Sequence, residues 1–290
     1  MKNAFSYISS IIISVLLVFC IIGLAGTGVV KYCANENQFK SISSKYELAD
    51  KTYTELEKYF HERSSATGIP EEVYMDAIDT EYLGNIIEQT IENGFILLNN
   101  GNTSDVFANE ELELSIDKFF NDYAESINYK KDDKFEQKLV STKNNAYKII
   151  GEYCDVYKFR ALDNHGVLSK ISTIYTHIDL LMIGAASAIL ILLVTLLIIN
   201  LNTKSEAIYW TGVSSLIAGI IGIAPCTYLL VTDYFSSFSV KQAQIYIAYT
   251  ETMKLFTSTF LHASIGIALF GILLVILYAI IKPKNTMKTK

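Results

Sequence analysis

The stretch 178-IDLLMIGAASAILILLVTLLII-199 carries one acid, Asp179 in its first turn, and no base. At 1.5 Å per residue such a run crosses a hydrocarbon core about 30 Å thick. Three more runs read the same way, at about Tyr7 to Val30, Ile208 to Val231 and Phe256 to Ile281. Between the first two lies a polar segment, and between the last two a shorter one. The expected fold class is all-α: an integral membrane protein with four transmembrane helices and a helical-bundle extracytoplasmic domain between spans 1 and 2.

Lysines set the expected orientation. Lys2 precedes the first run, Lys204 separates the second from the third, and Lys282, Lys284, Lys288 and Lys290 follow the fourth. Short basic flanks stay in the cytoplasm. The expected layout is therefore 1–30 for a cytoplasmic N-terminus and span 1, 31–177 outside, 178–199 for span 2 and 200–207 for a short cytoplasmic loop. Span 3 follows at 208–232, a second outer loop at 233–255, span 4 at 256–281 and a basic cytoplasmic tail at 282–290. The expected location is the plasma membrane, multi-pass, with both termini cytoplasmic. Tyr209 and Trp210 fit an interfacial aromatic belt. The first run exceeds the 7–15 residues of a signal core, so it is read as a retained span. Too little chain faces the cytoplasm for an output domain there.

From Lys31 to Tyr175 there are 26 acids and 16 bases. Glu71 to Glu125 holds 14 acids against one base, Lys118. This sign disfavours nucleic acid as a partner. Glu71, Glu72, Asp76, Asp79, Glu81, Glu110, Glu111 and Glu113 form a candidate acidic contact surface for a cationic partner. The plainer alternative is a solvated helical face.

Periodicity in the outer segment is helical. Phe39, Ile42, Tyr46, Ala49, Tyr53, Leu56 and Phe60 step 3,4,3,4,3,4, a heptad seam that predicts one long helix. Gly68 and Pro70 suit a stop and a restart, with the next helix over Glu71 to Ile78. Thr80 is a candidate cap for the run through Leu98. Leu112 to Ile127 and Phe135 to Val156 supply further stripes. A break at 163–166 precedes Val167, Ile171 and Ile174. The product is a bundle of four to six helices whose first and last members grow out of spans 1 and 2. In the second outer loop Ile245, Tyr249, Met253 and Phe256 share a helical face, predicting an upward extension of span 4 that packs on the bundle.

Candidate sites are few. His177, Asp179, Asp233 and His262 lie at similar depth near the outer interface, where a ring of two imidazoles and two carboxylates suits a metal such as zinc. They also read as interfacial side chains that reach water. Cys33 and Cys154 fall outside the apolar runs, as a candidate disulfide or as two free thiols. Gly222 and Pro225 mark a candidate hinge in span 3, where proline removes a helix donor. Ala218, Gly219, Gly222 and Ala224, with the pairs Gly184/Ala188 and Ser264/Ala268, predict close helix packing. His61-Glu62 begins a zinc-protease pattern that Ser65 breaks. No phosphate loop, nucleophile elbow or dinucleotide fingerprint occurs, and no cofactor is implied.

The segment Thr67-Gly68-Ile69-Pro70-Glu71-Glu72-Val73-Tyr74, followed by acidic helices and a three-span block, resembles uncharacterised four-span membrane proteins of low-GC Gram-positive bacteria. That resemblance implies topology and no reaction. The expected function is a non-enzymatic cell-envelope protein, a sensor, accessory or scaffold subunit whose outer domain binds a partner or ligand. The expected partners are the lipid bilayer and a membrane or extracytoplasmic protein, or further copies of the chain. The alternative is a small transporter or channel-like subunit.

Overall fold

A computed structural model describes residues 2–103, 108–201 and 204–281. The basic tail expected at 282–290 and part of the short loop before span 3 lie outside the described residues. The chain is helical, and among the described residues no strand occurs. It divides into two compact units: one of residues 1–34, 177–237 and 253–290, the other of 35–176 and 238–252.

The first unit holds four helices long and apolar enough to cross a membrane, as a membrane protein requires. They are α1 (Lys2–Cys33), α10 (Ile178–Ile199), α11 (Lys204–Val231) and α12 (Ala243–Ile281). Three of them, α1, α11 and α12, begin earlier than their apolar runs. Lys254 and Glu251 do not interrupt α12, because helical i to i−4 bonding tolerates charges wherever the side chains find water or a partner. Lys254 finds Asp233 at 3.2 Å.

Ring contacts mark one end of this unit. Trp210 meets Tyr7 at 5.5 Å, and Tyr209 meets Tyr278 at 5.0 Å. These contacts bring together the start of α1, the start of α11 and the end of α12. Nearby, Asn200 at the C-terminus of α10 is buried and donates to Ser10 Oγ at 3.1 Å and to the Leu196 carbonyl at 2.9 Å. Ser6 donates to the Asn200 side-chain oxygen at 3.4 Å. Ser214 of α11 donates to the Ser14 carbonyl at 3.1 Å. Hydrogen bonds between helices fix register where the lipid offers no competing partner.

Small residues join α11 to α12 as the sequence predicts. A Cβ on Gly222 would sit 2.1 Å from Ser264 Oγ, and one on Gly271 would sit 2.5 Å from the Leu216 nitrogen. The pair on α10 behaves differently: a Cβ on Gly184 would meet nothing within 4 Å. α11 runs through Pro225 as one helix.

The second unit contains α2 (Glu36–Lys45), α3 (Leu48–Thr67), α4 (Glu72–Met75), α5 (Thr80–Leu98), α6 (Glu110–Ser126), α7 (Asp133–Cys154), α8 (Phe159–Asn164), α9 (Val167–Thr176) and the first turns of α12. Short polar side chains start the main helices by accepting orphan backbone donors. Asn35 accepts from Gln38 N, Asn109 from Leu112 N and Asp132 from Phe135 N. Asp79, rather than Thr80, caps α5, accepting from Tyr82 N at 2.7 Å. Gly68 ends α3 at φ 73°, a left-handed conformation cheap only for glycine.

α5 is the core helix, with Leu83, Ile87 and Ile91 fully buried. Each such side chain contributes about 1.5–3 kcal/mol of apolar burial. α5 packs against α2, α3, α7, α8 and α9. Gly94 admits the Phe159 ring, which a Cβ there would meet at 2.2 Å.

Four local expectations are corrected. The heptad seam is two helices, because Glu47 adopts φ 52° and separates α2 from α3. The restart after Pro70 is the single turn Glu72–Met75. The bundle's end helices are not continuations of the spans: Asn35 caps a new helix after α1, and His177 separates α9 from α10. The early turns of α12 do join the second unit, and Tyr249 of the expected face donates to the Tyr157 carbonyl at 2.5 Å, but the fully buried side chains are Gln244 and Ala248, and Met253 is exposed.

Candidate ligand groove

Three helices of the second unit leave an aromatic stripe uncovered. From α3 come Tyr59, Phe60 and Arg63; from α6, Phe119, Phe120 and Tyr123; from α7, Lys138, Thr142, Asn145, Lys148, Ile149 and Glu152. Together with the Thr67–Ile69 turn and Tyr74 they line a groove of about 900 Å³. That volume lies within the range of small-molecule sites.

Its floor is packed. Phe60 stacks on Tyr74 at 4.3 Å with ring planes 14° apart, and both are buried. Burial pushes the Tyr74 hydroxyl up to about 12, so it remains a neutral donor. Thr142 donates to the Lys138 carbonyl at 2.9 Å. The walls are looser. Phe119 and Tyr123 stack at 6.4 Å, yet Tyr123 is 59% exposed.

The rim is cationic. The Arg63 guanidinium carbon lies 5.5 Å from the Tyr59 ring centroid, a contact worth about 0.5–1 kcal/mol at an exposed site. Lys138 and Lys148 are exposed on α7. Lys148 approaches Glu152 at 4.0 Å, with both side chains more than half exposed, so water screens that pair. Three bases and one acid therefore line a groove in a chain whose net charge is −6.

The residues expected to form sites are placed as follows. Asp179 pairs with Lys31, Asp233 pairs with Lys254, and His262 Nδ1 lies 2.6 Å from the Ser258 carbonyl. The Ser236 hydroxyl and Lys254 hold the Asp233 carboxyl below its usual range. Each group, with His177 at the break before α10, is engaged locally, so the structure does not assemble them into one ring. Among the described residues no three His, Cys, Asp or Glu side chains are arranged to hold a metal. Cys33 and Cys154 are both buried free thiols. Gly222 lies against Ser264, while Pro225 is exposed.

Several of the acids have structural work. Glu71 pairs with His61 at 2.7 Å, and Asp79 is a cap. Glu110, Glu111 and Glu113 occupy the first turn of α6, where the helix dipole favours negative charge. Glu113 also accepts from the Tyr147 hydroxyl at 3.0 Å and pairs with Lys143 at 3.5 Å. Glu72, Asp76 and Glu81 are exposed.

The groove was not singled out in the sequence, although the signal was there. Tyr59-Phe60 and Phe119-Phe120 place adjacent aromatics on neighbouring flanks of one helix, where a single stripe suffices to reach a core. A smaller cavity of about 310 Å³ lies between α1 and α11, lined by apolar side chains with Ser14 and Ser214. No family model matches the chain, and comparison with curated proteins and with solved structures gives no match.

Proposed function

We propose that this chain is a membrane-anchored binding protein, a sensor or accessory subunit of the cell envelope. Its polar helical unit faces the outside and captures its ligand or partner in the groove between α3, α6 and α7. The observation that carries the reading is the aromatic groove with its basic rim: exposed rings around a concave, partly charged surface are the usual composition of a recognition site. The lysines at 2, 204 and 282–290 support the orientation, with both termini in the cytoplasm. The groove's polar groups are three rim cations, Glu152 beside Lys148, an amide, tyrosine hydroxyls and two threonine hydroxyls tied to the backbone, a lining we read as one for binding.

The test is a photo-crosslinking residue in place of Tyr123 in the full chain, activated in native membranes. A discrete adduct, absent when the same residue replaces exposed Leu114 on another face of α6, is expected. Unmodified protein at both positions would reject the groove as the site of capture.

A further inference from the structure

Resting on that reading, we infer that the groove takes an amphiphilic anion, a flat aromatic or acyl body carrying a carboxylate or phosphate. Two features of the lining select this class. The floor and walls are rings: the Phe60–Tyr74 stack below and Phe119 with Tyr123 at the side. Such faces hold apolar bodies by area and by offset stacking. The rim then adds the opposite requirement. Arg63, Lys138 and Lys148 stand against a single acid, reversing the sign of the rest of the chain.

A neutral ligand would leave those cations unused, and a cationic one would be repelled by them. Inorganic anions would leave the rings uncovered. An amphiphile satisfies both. Arg63 is the cation best placed to receive the head, because its contact with Tyr59 orients the guanidinium beside the groove, and a planar fork matches carboxylate and phosphate oxygens. The three cations are exposed and can be substituted without opening a cavity, so the class can be tested in an intact fold.

The experiment uses the full-length protein in phosphatidylcholine nanodiscs, with empty discs as background. Two fluorescent probes share an anilinonaphthalene body: 1-anilinonaphthalene-8-sulfonate bears a negative charge, and N-phenyl-1-naphthylamine does not. The expected result is saturable binding of the sulfonate at least tenfold tighter than that of the neutral probe. The triple variant Arg63→Gln, Lys138→Gln, Lys148→Gln, shown by its circular dichroism melt to be folded, should lose that preference. Displacement by dodecyl phosphate indicates a lipid source, and displacement by indole-3-acetate a soluble one; either supports the class. Equal binding of both probes, unchanged sulfonate affinity in the triple variant, or displacement by neither competitor overturns the anionic assignment and leaves capture in the groove standing. No saturable binding of either probe, together with a polypeptide adduct at Tyr123, makes the groove a peptide site and also overturns it. No binding and no adduct removes the proposed function itself.

Discussion

Gly219 of α11 touches α12 so closely that a Cβ added to it would lie 2.6 Å from the Ala268 Cβ and 2.7 Å from the Ser264 carbonyl oxygen. Backbone lies on the far side of this contact, so the helices must separate to admit a methyl group. Gly219→Ala should destabilise the protein by about 1–3 kcal/mol, the usual cost of overpacking. Gly184→Ala, which enters open space, should not. Thermal unfolding of both variants in the same nanodiscs checks the pair, and equal melting temperatures would refute the close contact.

Asn200 is the polar centre of the α1–α10 contact. Asn200→Leu should cost about 0.6–2 kcal/mol, the range for hydrogen bonds between spans. A double-mutant cycle with Ser10→Ala should show coupling, since both changes remove the same bond. Strict additivity would mean that the bond contributes nothing.

How far the sequence predicts this architecture depends on the level. The spans are legible because an apolar run of some 20 residues has few alternatives. Helical character in the polar unit is legible from the spacing of Leu83, Ile87 and Ile91. Breaks are harder. Glu47 turns left-handed between two helices whose heptads stay in phase, and its residue type gives no warning. Thr80 is the expected cap of α5, yet the side chain that accepts from Tyr82 N is that of Asp79 just before it. The groove is least legible of all. Phe119 and Tyr123 follow the same periodicity as a covered stripe, and whether a neighbour covers it is a property of the packed unit.

Asp155 gives a pH test. Its carboxylate is buried and accepts from Phe159 N at 2.9 Å and Arg160 N at 3.1 Å. Burial raises its pKa, while these two bonds and the nearby charges of Lys158 and Arg160 oppose the rise. A raised carboxyl binds its proton more tightly in the folded state, so stability falls as pH rises from the ordinary aspartate value of about 3.9 through the folded value. Asp155→Asn removes the ionisation but keeps only one accepting oxygen, because Phe159 N and Arg160 N donate to different carboxylate oxygens. The lost bond gives the variant a pH-independent offset, on which the parent should lose melting temperature relative to the variant as pH rises through that range. A difference that stays constant across the series would contradict this account.

Cys154 is fully buried, with Sγ 4.0 Å from the Leu83 carbonyl, and burial pushes its thiol well above the usual range. The thiolate is the reactive species, so iodoacetamide at pH 8 should leave Cys154 unmodified in the folded protein and alkylate it fully in denaturant. Peptide mass spectrometry reads both states. Rapid native labelling would show that this end of α7 opens readily.

α10 buries only Ile178 and Leu196 along its 22 residues. Leu180, Ile183, Leu190 and Ile191 each remain more than 60% exposed, where acyl chains are the natural neighbours. Such a helix must be oily, but it need not be this particular sequence. Neutral drift should therefore run fastest through its leucines and isoleucines, leaving Leu196 and Asn200 as fixed points in an otherwise interchangeable text.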